Sequence, residues 1–369
     1  MPKAQETVLE INLKALEHNF DYLKSKLKPE TKFMAVVKAY AYGSDSCEIA
    51  LYLEKLGVDY FAVAYIEEGL ALRKGGVTAP ILVLHPQIVN FDMLLENNLE
   101  PSLYNIKILK EFIAALSEKN ITDYPVHLKF NTGLNRLGFW HTDVDMISNL
   151  LSETKTLKVV SLLSHLAASE DFNEKEFTLN QIKDFKSIAE NFTKQVGYKP
   201  LHHICNTSGI LNYPDAHFDM VRSGIGLYGF GNSEKENKFF KPIGTLKTVI
   251  SQIHDIIEGE SIGYNRGYKA TGTLRSATLP IGHADGIGRQ YGHGKGFVTI
   301  HGKRAPIIGN VCMDMIMVNV TDIDCEEGDE VIIFGESPNA ETLAETANTI
   351  SYELITHISQ RVMRVIIAS

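Results

Sequence analysis

The sequence predicts an α/β protein, an N-terminal (β/α)8 TIM-like barrel followed by a mostly β C-terminal domain. Three observations carry this expectation. Short apolar, β-rich runs recur eight times in the first 225 residues, most gaps between them can hold a helix, and closely spaced strand-like runs take over after about residue 240. Strands alternating with helical stretches imply parallel βαβ units, and eight units in this length match a barrel. A doubly wound open sheet is the alternative that strand counting leaves open.

Ahead of the first unit, Val8-Leu-Glu-Ile-Asn-Leu13 alternates like a strand, and Leu16, Phe20, Leu23 and Leu27 then share one helical face. The eight runs are 33–39, 60–65, 79–85, 101–104, 126–130, 159–165, 201–206 and 219–223. Helices are expected over 48–56, 67–74, 105–119 and 173–196, with a short or irregular one in the tight gap after 206. Beyond, 246–257, 276–281, 297–301, 304–309, 311–320 and 329–334 read as strands, and 340–350 as a late helix. His301-Gly302-Lys303 reads as a tight hairpin turn. The expected domains are 1–235 for the barrel, with residues 1–13 able to pair with the other domain, and 236–369 for the β domain. The join is expected within 231–241, where Asn, Ser, Glu and Lys dominate.

Composition narrows the function. Of 369 residues, 44% are hydrophobic and 22% charged, an ordinary globular mixture that excludes disorder as the main state. Lys+Arg 36 against Asp+Glu 45 gives a net charge of −9 with no basic block, which argues against nucleic-acid and anionic-membrane partners. Cys47, Cys205, Cys312 and Cys325 lie far apart without CxxC pairing, as expected of a reducing cytoplasm. The first seven residues carry no apolar leader, and no 18 apolar residues run together. A soluble cytoplasmic protein is expected.

In a barrel of this kind, chemistry gathers at the C-terminal ends of the strands. Lys38, His85, Lys129, His165, Asn206 and Arg222 stand at those ends. Lys38 follows Met34-Ala-Val-Val37 and precedes Ala39. An ammonium there either snorkels to solvent or, partly desolvated, is readily made neutral and nucleophilic, as a Schiff base requires. Gly224-x-Gly226-x-x-Gly229 after a strand resembles a dinucleotide fingerprint, but the acidic partner would fall in the polar linker with no βαβ unit to carry it. The same glycines let backbone N–H groups approach a single phosphate. A lysine for imine formation beside a phosphate cradle suggests pyridoxal 5'-phosphate. His202-His203 is rejected as a metal pair, because adjacent strand residues face opposite ways.

With these residues in place, the chain resembles the bacterial alanine racemases, fold-type III pyridoxal-phosphate enzymes, over nearly its whole length. The segments that carry the resemblance are Ala35-Val-Val-Lys-Ala-Tyr-Ala-Tyr-Gly43, Asn131-Thr-Gly-Leu-Asn-Arg-Leu-Gly138, Arg222-Ser-Gly-Ile-Gly-Leu-Tyr-Gly229, Ile281-Gly-His-Ala-Asp-Gly286 and Gly309-Asn-Val-Cys-Met-Asp314. The resemblance implies that Lys38 holds the cofactor as an imine and then acts as base on one face of the substrate. It implies phosphate binding by Tyr42, Thr207 with Ser208, the backbone at Gly224 and Ile225, and Tyr352. Arg222 would face the pyridine nitrogen. A guanidinium does not readily give up its proton, so the ring would stay a weak electron sink.

The second base implied is Tyr264, helped by His165 linked to Arg222, since an unperturbed tyrosine titrates near ~10. Arg136 and the Met313 backbone would hold the substrate carboxylate, and Lys129 aligns with a lysine carbamylated in some members. Tyr264 and Met313 would reach the site of a neighbouring copy, implying a homodimer with shared sites that supplies D-alanine for peptidoglycan. Four positions depart from the family: Tyr40 for Asn, Thr207 for Ser, His283 for Tyr and Asn310 for Arg.

Taken alone, each residue has an ordinary reading: His165 as a core histidine, Tyr264 as a turn aromatic, Tyr228 and Tyr352 as core, and His293 as a loop residue. Two rivals stand beside racemisation. One is a basic amino-acid decarboxylase of the same fold type, to which Cys312-Met-Asp314 points, although Arg222 stands where that class puts a carboxylate. The other is a pyridoxal-phosphate carrier built from a barrel alone, which leaves the β domain without a role.

Overall fold

A computed structural model of the chain describes residues 6–367. Two compact units emerge. One holds residues 17–41 and 46–240; the other holds 6–16, 42–45 and 241–367. In chain order the first strands are β1 (Val8–Asn12), β2 (Lys32–Val36), β3 (Tyr60–Val63), β4 (Ile81–Val83), β5 (Glu100–Leu103), β6 (Tyr124–Lys129), β7 (Leu157–Leu163), β8 (Leu201–His203) and β9 (Met220–Ser223).

β2 to β9 form one parallel sheet in the order β8-β7-β6-β5-β4-β3-β2-β9. The late strand β9 lies beside the first, from Lys32↔Met220 to Ala35↔Ser223. The other flank of β9 meets β8 through two backbone bonds, Asp219 N–H to the His202 carbonyl and Arg222 N–H to the Cys205 carbonyl, both 3.1 Å. The sheet is therefore a nearly closed barrel, and the open-sheet alternative is set aside. Its strands read as unbroken apolar runs because both faces are covered, and each fully buried side chain such as Phe33, Phe61 or Leu82 contributes roughly 1.5–3 kcal/mol.

The connecting helices follow their apolar spacing. Ile106–Glu118 buries Ile108, Leu109, Phe112 and Leu116 and is capped by Asn105, whose side chain accepts from the Ile108 N–H. Lys175–Val196 stops at Gly197, where φ is 78°, as a left-handed C-cap requires. Phe91–Glu96 and Val144–Ser152 are helices that the periodicity did not suggest; Val144 and Ile147 are the buried residues of the latter, too few to mark a period. The segment after 206 is the six-residue helix Thr207–Asn212.

The other unit continues with β10 (Gly244–Val249), β11 (Gln252–Ile256), β12 (Ser261–Ile262), β13 (Tyr268–Lys269), β14 (Leu274–Leu279), β15 (Phe297–Ile300), β16 (Lys303–Ile308), β17 (Ile316–Asn319), β18 (Glu330–Phe334) and β19 (Met363–Ile367). Nine strands make one sheet, β11-β14-β17-β16-β15-β18-β10-β1-β19, and β12 pairs with β13. β1 lies between β10, antiparallel, and β19, parallel; residues 1–5 of the expected 1–13 segment lie outside the described residues. His301 (φ 49°) and Gly302 (φ 76°) form the two-residue turn between β15 and β16.

Three expectations need revision here. The run 246–257 is two strands, because Ile250 N–H bonds to Asp329 and Ser251 N–H to Thr278, sending the chain to different neighbours. The run 311–320 shortens to β17, since Cys312 N–H bonds back to the Met315 carbonyl at 2.9 Å and makes a turn. The helix over 340–350 splits into Ala340–Glu345 and Ser351–Thr356, with Asn348 left-handed at φ 56° between them. The units divide after residue 240, inside the 231–241 span, and the division has a physical reason. The buried Glu236 carboxylate accepts from Ser208 Oγ (3.0 Å), Asn212 Nδ2 (2.8 Å) and the Asn232 N–H (2.8 Å), keeping the linker in the barrel unit. Among the described residues no helix is long and apolar enough to cross a membrane.

Candidate active site

Lys38 leaves the end of β2 with its backbone already changing hand. Ala39, Tyr40, Ala41, Tyr42 and Gly43 have φ of 52°, 57°, 50°, 53° and 82°, so the turn Lys38–Gly43 is left-handed. For residues with a Cβ this conformation costs roughly 1–2 kcal/mol each, and it persists only where neighbours over-determine it. Gly43 is required twice over, by its φ and because a Cβ there would overlap the Ile355 carbonyl oxygen. Burial lowers the affinity of the Lys38 amine for its proton and the charge of Arg136 lowers it further, while Glu68 acts the other way.

The barrel brings a cationic group around that amine. Burial, then Arg136, Arg222 and Lys38, push Lys129 down to about 8. Burial lowers Arg222 to about 10, which leaves it charged at neutral pH. His165 lies well below the usual histidine value, through burial first and then Arg222, Arg136, Lys129 and Lys38. Arg136 projects from a loop closed by the Asn131 side chain, which accepts from the Gly133 and Asn135 N–H groups, and by the Phe139 N–H to Lys129 carbonyl bond of 2.8 Å.

Arg222 is the most heavily bonded of these residues. Nη1 donates to His203 Nδ1 (2.7 Å) and to the His203 carbonyl (3.2 Å). Nη2 donates to the carbonyls of Ser164 (2.6 Å) and Ile204 (3.3 Å) and to His165 Nδ1 (3.2 Å). None of these bonds uses the Nε–H. A chain of contacts then runs through the barrel: His203 Nε2 to Ser161 Oγ (2.8 Å), Ser161 Oγ to His127 Nδ1 (2.5 Å), and His127 Nε2 to Glu100 Oε2 (2.7 Å). A guanidinium can only donate, so the direction is set throughout. His203 donates to Ser161, Ser161 to His127, and His127 to the Glu100 carboxylate.

Thr207 Oγ1 and Ser223 Oγ are hydrogen-bonded at 2.9 Å, and Thr207 Oγ1 also accepts from the Gly226 N–H at 3.4 Å. A Cβ at Gly226 would press on Thr207 Cγ2 at 2.7 Å, so the glycine lets this backbone close in. Gly224 and Ile225 are buried next to Ser223. Ser208 is different, because its hydroxyl donates to Glu236 and accepts from Asn232 Nδ2 (2.7 Å). Its hydroxyl proton is thus committed, and its backbone N–H is the donor to consider. Asn206 serves as a helix cap, accepting from the Gly209 N–H at 2.9 Å. His85 stacks on Tyr104 with ring centroids 5.6 Å apart.

The remaining candidates belong to the other unit. The Tyr42 and Tyr352 rings lie 6.0 Å apart, and burial raises the Tyr42 phenol above its ordinary range. Tyr264 and Met313 line one cavity of about 690 Å³ with His283, Arg289 and Asn310. Tyr264 is 76% exposed. Its carbonyl accepts from the Gly267 N–H (3.1 Å) and from Asn310 Nδ2 (2.9 Å), while Asn310 Oδ1 accepts from Arg289 (3.1 Å) and His293 (3.2 Å). The segments 281–286 and 309–314 pack together through His283 N–H to Cys312 (2.9 Å) and Ala284 N–H to Met313 (3.0 Å). Arg361 clasps both, reaching Asp285 at 2.6 Å and Asp314 at 2.7 Å.

Glu68, Glu100, His127, Ser161, Glu236 and Arg361 are additions that the sequence reading did not single out. For His127 and Ser161 a signal existed, a polar residue between apolar ones inside a strand, the pattern that exposed Lys38.

The family model described as alanine racemase, N-terminal domain, matches residues 11–231, and the alanine racemase C-terminal domain model matches 243–366. The alanine racemase of Thermodesulfovibrio yellowstonii is 36% identical over 363 residues, covering 96% of each chain. Alanine racemase 1 of Clostridium acetobutylicum is 35% identical, covering 97% of this chain and 94% of that one. Among solved structures, the alanine racemase of Clostridium difficile 630 superposes with a TM-score of 0.93 at 34% identity, covering 99% of this chain and 97% of that one. That of Bacillus anthracis, solved with bound L-Ala-P, gives a TM-score of 0.91 at 29% identity and covers 100% and 97%. The chain belongs to the alanine racemase family and is an enzyme of that kind.

Proposed function

We propose that this enzyme interconverts L-alanine and D-alanine with pyridoxal 5'-phosphate by a two-base mechanism, Lys38 serving one face of the substrate and Tyr264 of a second copy the other. The observation that carries this reading is the desolvated Lys38 amine among Arg136, Arg222, His165 and Lys129 at the open ends of the barrel strands. The donor set fits a phosphorylated aldehyde. There is an amine able to form an imine, a guanidinium with an Nε–H left over, and a Thr207–Ser223 hydroxyl pair against close-packed glycine backbone. When bound, this cofactor supplies an electrophilic carbon for imine formation and a conjugated ring that disperses the electron pair left by the departing α-proton.

Each residue then has a task. Lys38 binds the cofactor and moves an α-proton at its Nζ. Thr207, the N–H groups of Ser208, Gly224 and Ile225, and the hydroxyls of Tyr42 and Tyr352 receive the phosphate. Arg222 offers its Nε–H to the pyridine nitrogen and remains a donor, because the chain ending at Glu100 leaves His203 no proton to give it. Arg136 and the Met313 N–H orient the substrate carboxylate. Tyr264 Oη moves the proton on the opposite face, with His165 tying it to the arginine. Lys129, at about 8, keeps enough neutral amine to take up carbon dioxide, and the resulting anion would sit beside Arg136.

The exposure of Tyr264 (76%) and Met313 (59%) supports their use by a neighbouring copy, hence an obligate homodimer with shared sites. None of the four cysteines is in a disulfide, in keeping with a cytoplasmic enzyme; its D-alanine would feed peptidoglycan. His283 and Asn310, departing from the family pattern, bear on substrate range. The test is incubation with L-alanine in deuterated water. D-alanine carrying one α-deuterium is expected, and product formed without deuterium, or no D-alanine at all, refutes the mechanism.

A further inference from the structure

Glu68 stands third in the helix Ile66–Lys74, where a carboxylate ordinarily accepts the N–H of the residue before the helix. One oxygen does this: Oε2 accepts from the N–H groups of Tyr65 (3.2 Å) and Ala64 (2.6 Å) at the end of β3. The other leaves the helix altogether, and Oε1 accepts the N–H of Ala39 at 2.7 Å. Ala39 is the first left-handed residue after Lys38. A single carboxylate therefore bonds the end of β3 to the peptide that follows Lys38. At that peptide the chain turns into a conformation that survives only when its surroundings enforce it. The next restraint is backbone, Ala41 N–H to the Val37 carbonyl at 3.0 Å.

We infer that Glu68 is a positioning residue for the proton-moving amine: by gripping the Ala39 peptide it sets the direction in which Lys38 leaves the barrel strand. This rests on the reading of Lys38 given under the proposed function. The competing account is that Glu68 only caps its helix. The two differ because a glutamine at 68 has one acceptor oxygen and cannot serve both sets of N–H groups.

The experiment uses the cofactor-loaded Glu68→Gln enzyme, with α-deuterated L-alanine and α-deuterated D-alanine as separate substrates. We expect unchanged coenzyme absorbance and a turnover loss of about 10²-fold in both directions, the scale of a misplaced reacting group. The α-deuterium isotope effect should rise only for the enantiomer whose hydrogen Lys38 removes. An equal rise for both enantiomers, or none, overturns the inference. A readout independent of turnover and of the variant's folding is amide hydrogen exchange at Ala39 in the wild-type holoenzyme. Slow exchange is expected, and exchange at the rate of an unstructured peptide overturns the inference. Borohydride treatment of the wild type separates this from failure of the underlying reading: coenzyme reduced onto Lys38 upholds that reading, and its absence sinks both.

Discussion

Lys38 and Tyr264, the two proposed bases, both adjoin left-handed backbone, yet they are held in opposite ways. The Lys38 turn grows directly from a barrel strand, is gripped by Glu68 and ends at a glycine for which no other residue can substitute. Tyr264 follows Gly263 (φ 73°) and precedes Asn265 and Arg266 (φ 55° and 50°) on a loop whose carbonyl hangs from one side chain, Asn310, and one backbone N–H. The first base is fixed by strands and by the desolvation that tunes its amine. The second is exposed, and its orientation depends on an amide that also serves Arg289 and His293. An amine proposed to carry a cofactor needs the rigid mount, whereas a phenol proposed to meet the substrate from another copy can be set by a few side-chain bonds.

Substitutions can break this contrast. The largest effect should come from Lys38→Ala, which removes both attachment and a base. Turnover should fall by about 10⁴-fold or more, and the imine absorbance band should vanish with it. Tyr264→Phe should cost about 10²- to 10⁴-fold with that band intact; full turnover would end the two-base scheme.

Acidification should separate the regions next. Burial holds His165 and His203 well below the ordinary histidine value, so the unfolded chain takes up protons first as pH falls through about 6.5. Their contribution is therefore complete above that pH and is lost below it, by up to about 1.4 kcal/mol per pH unit for each. Denaturant midpoints measured between pH 7 and pH 5 should fall accordingly. The Tyr264 carbonyl is held by the Asn310 amide and the Gly267 N–H, neither of which titrates, so the Tyr264 loop should not share this sensitivity. The smallest effect is expected for Asn310→Ala: a loss of about 10-fold in turnover and about 1 kcal/mol in stability, checked by steady-state kinetics and thermal melting. Unchanged kinetics would show that the Gly267 N–H alone holds the loop.

The barrel was legible because its strands are buried on both faces, and their apolar runs need no partner to be recognised. Lys38, Lys129, His165 and Arg222 stood out as polar residues at the ends of such runs. What escaped notice shares a physical cause. Glu68 and Glu236 act on peptide groups and neighbouring polar side chains, Arg361 spans segments far apart in sequence, and Glu100 matters only as the terminus of a path through three strands. None of these pairings leaves a periodic trace. Ser208 shows the converse: the resemblance implied phosphate binding there, but its hydroxyl proton goes to Glu236. The stretch split off as β11 and its turn illustrates a third limit, since a change of sheet partner within one apolar run is decided by distant strands.

The seating of β1 between β10 and β19 bears on how the molecule is made. During synthesis Val8–Asn12 emerges early with no sheet to join, and it remains a loose edge while more than two hundred residues of barrel are added. It gains one neighbour when 244–249 arrives and its second only with 363–367. The half of the enzyme that bears Tyr264 therefore reaches its finished form last, and removing β19 should leave β1 as a sticky, unpaired edge of the nine-stranded sheet.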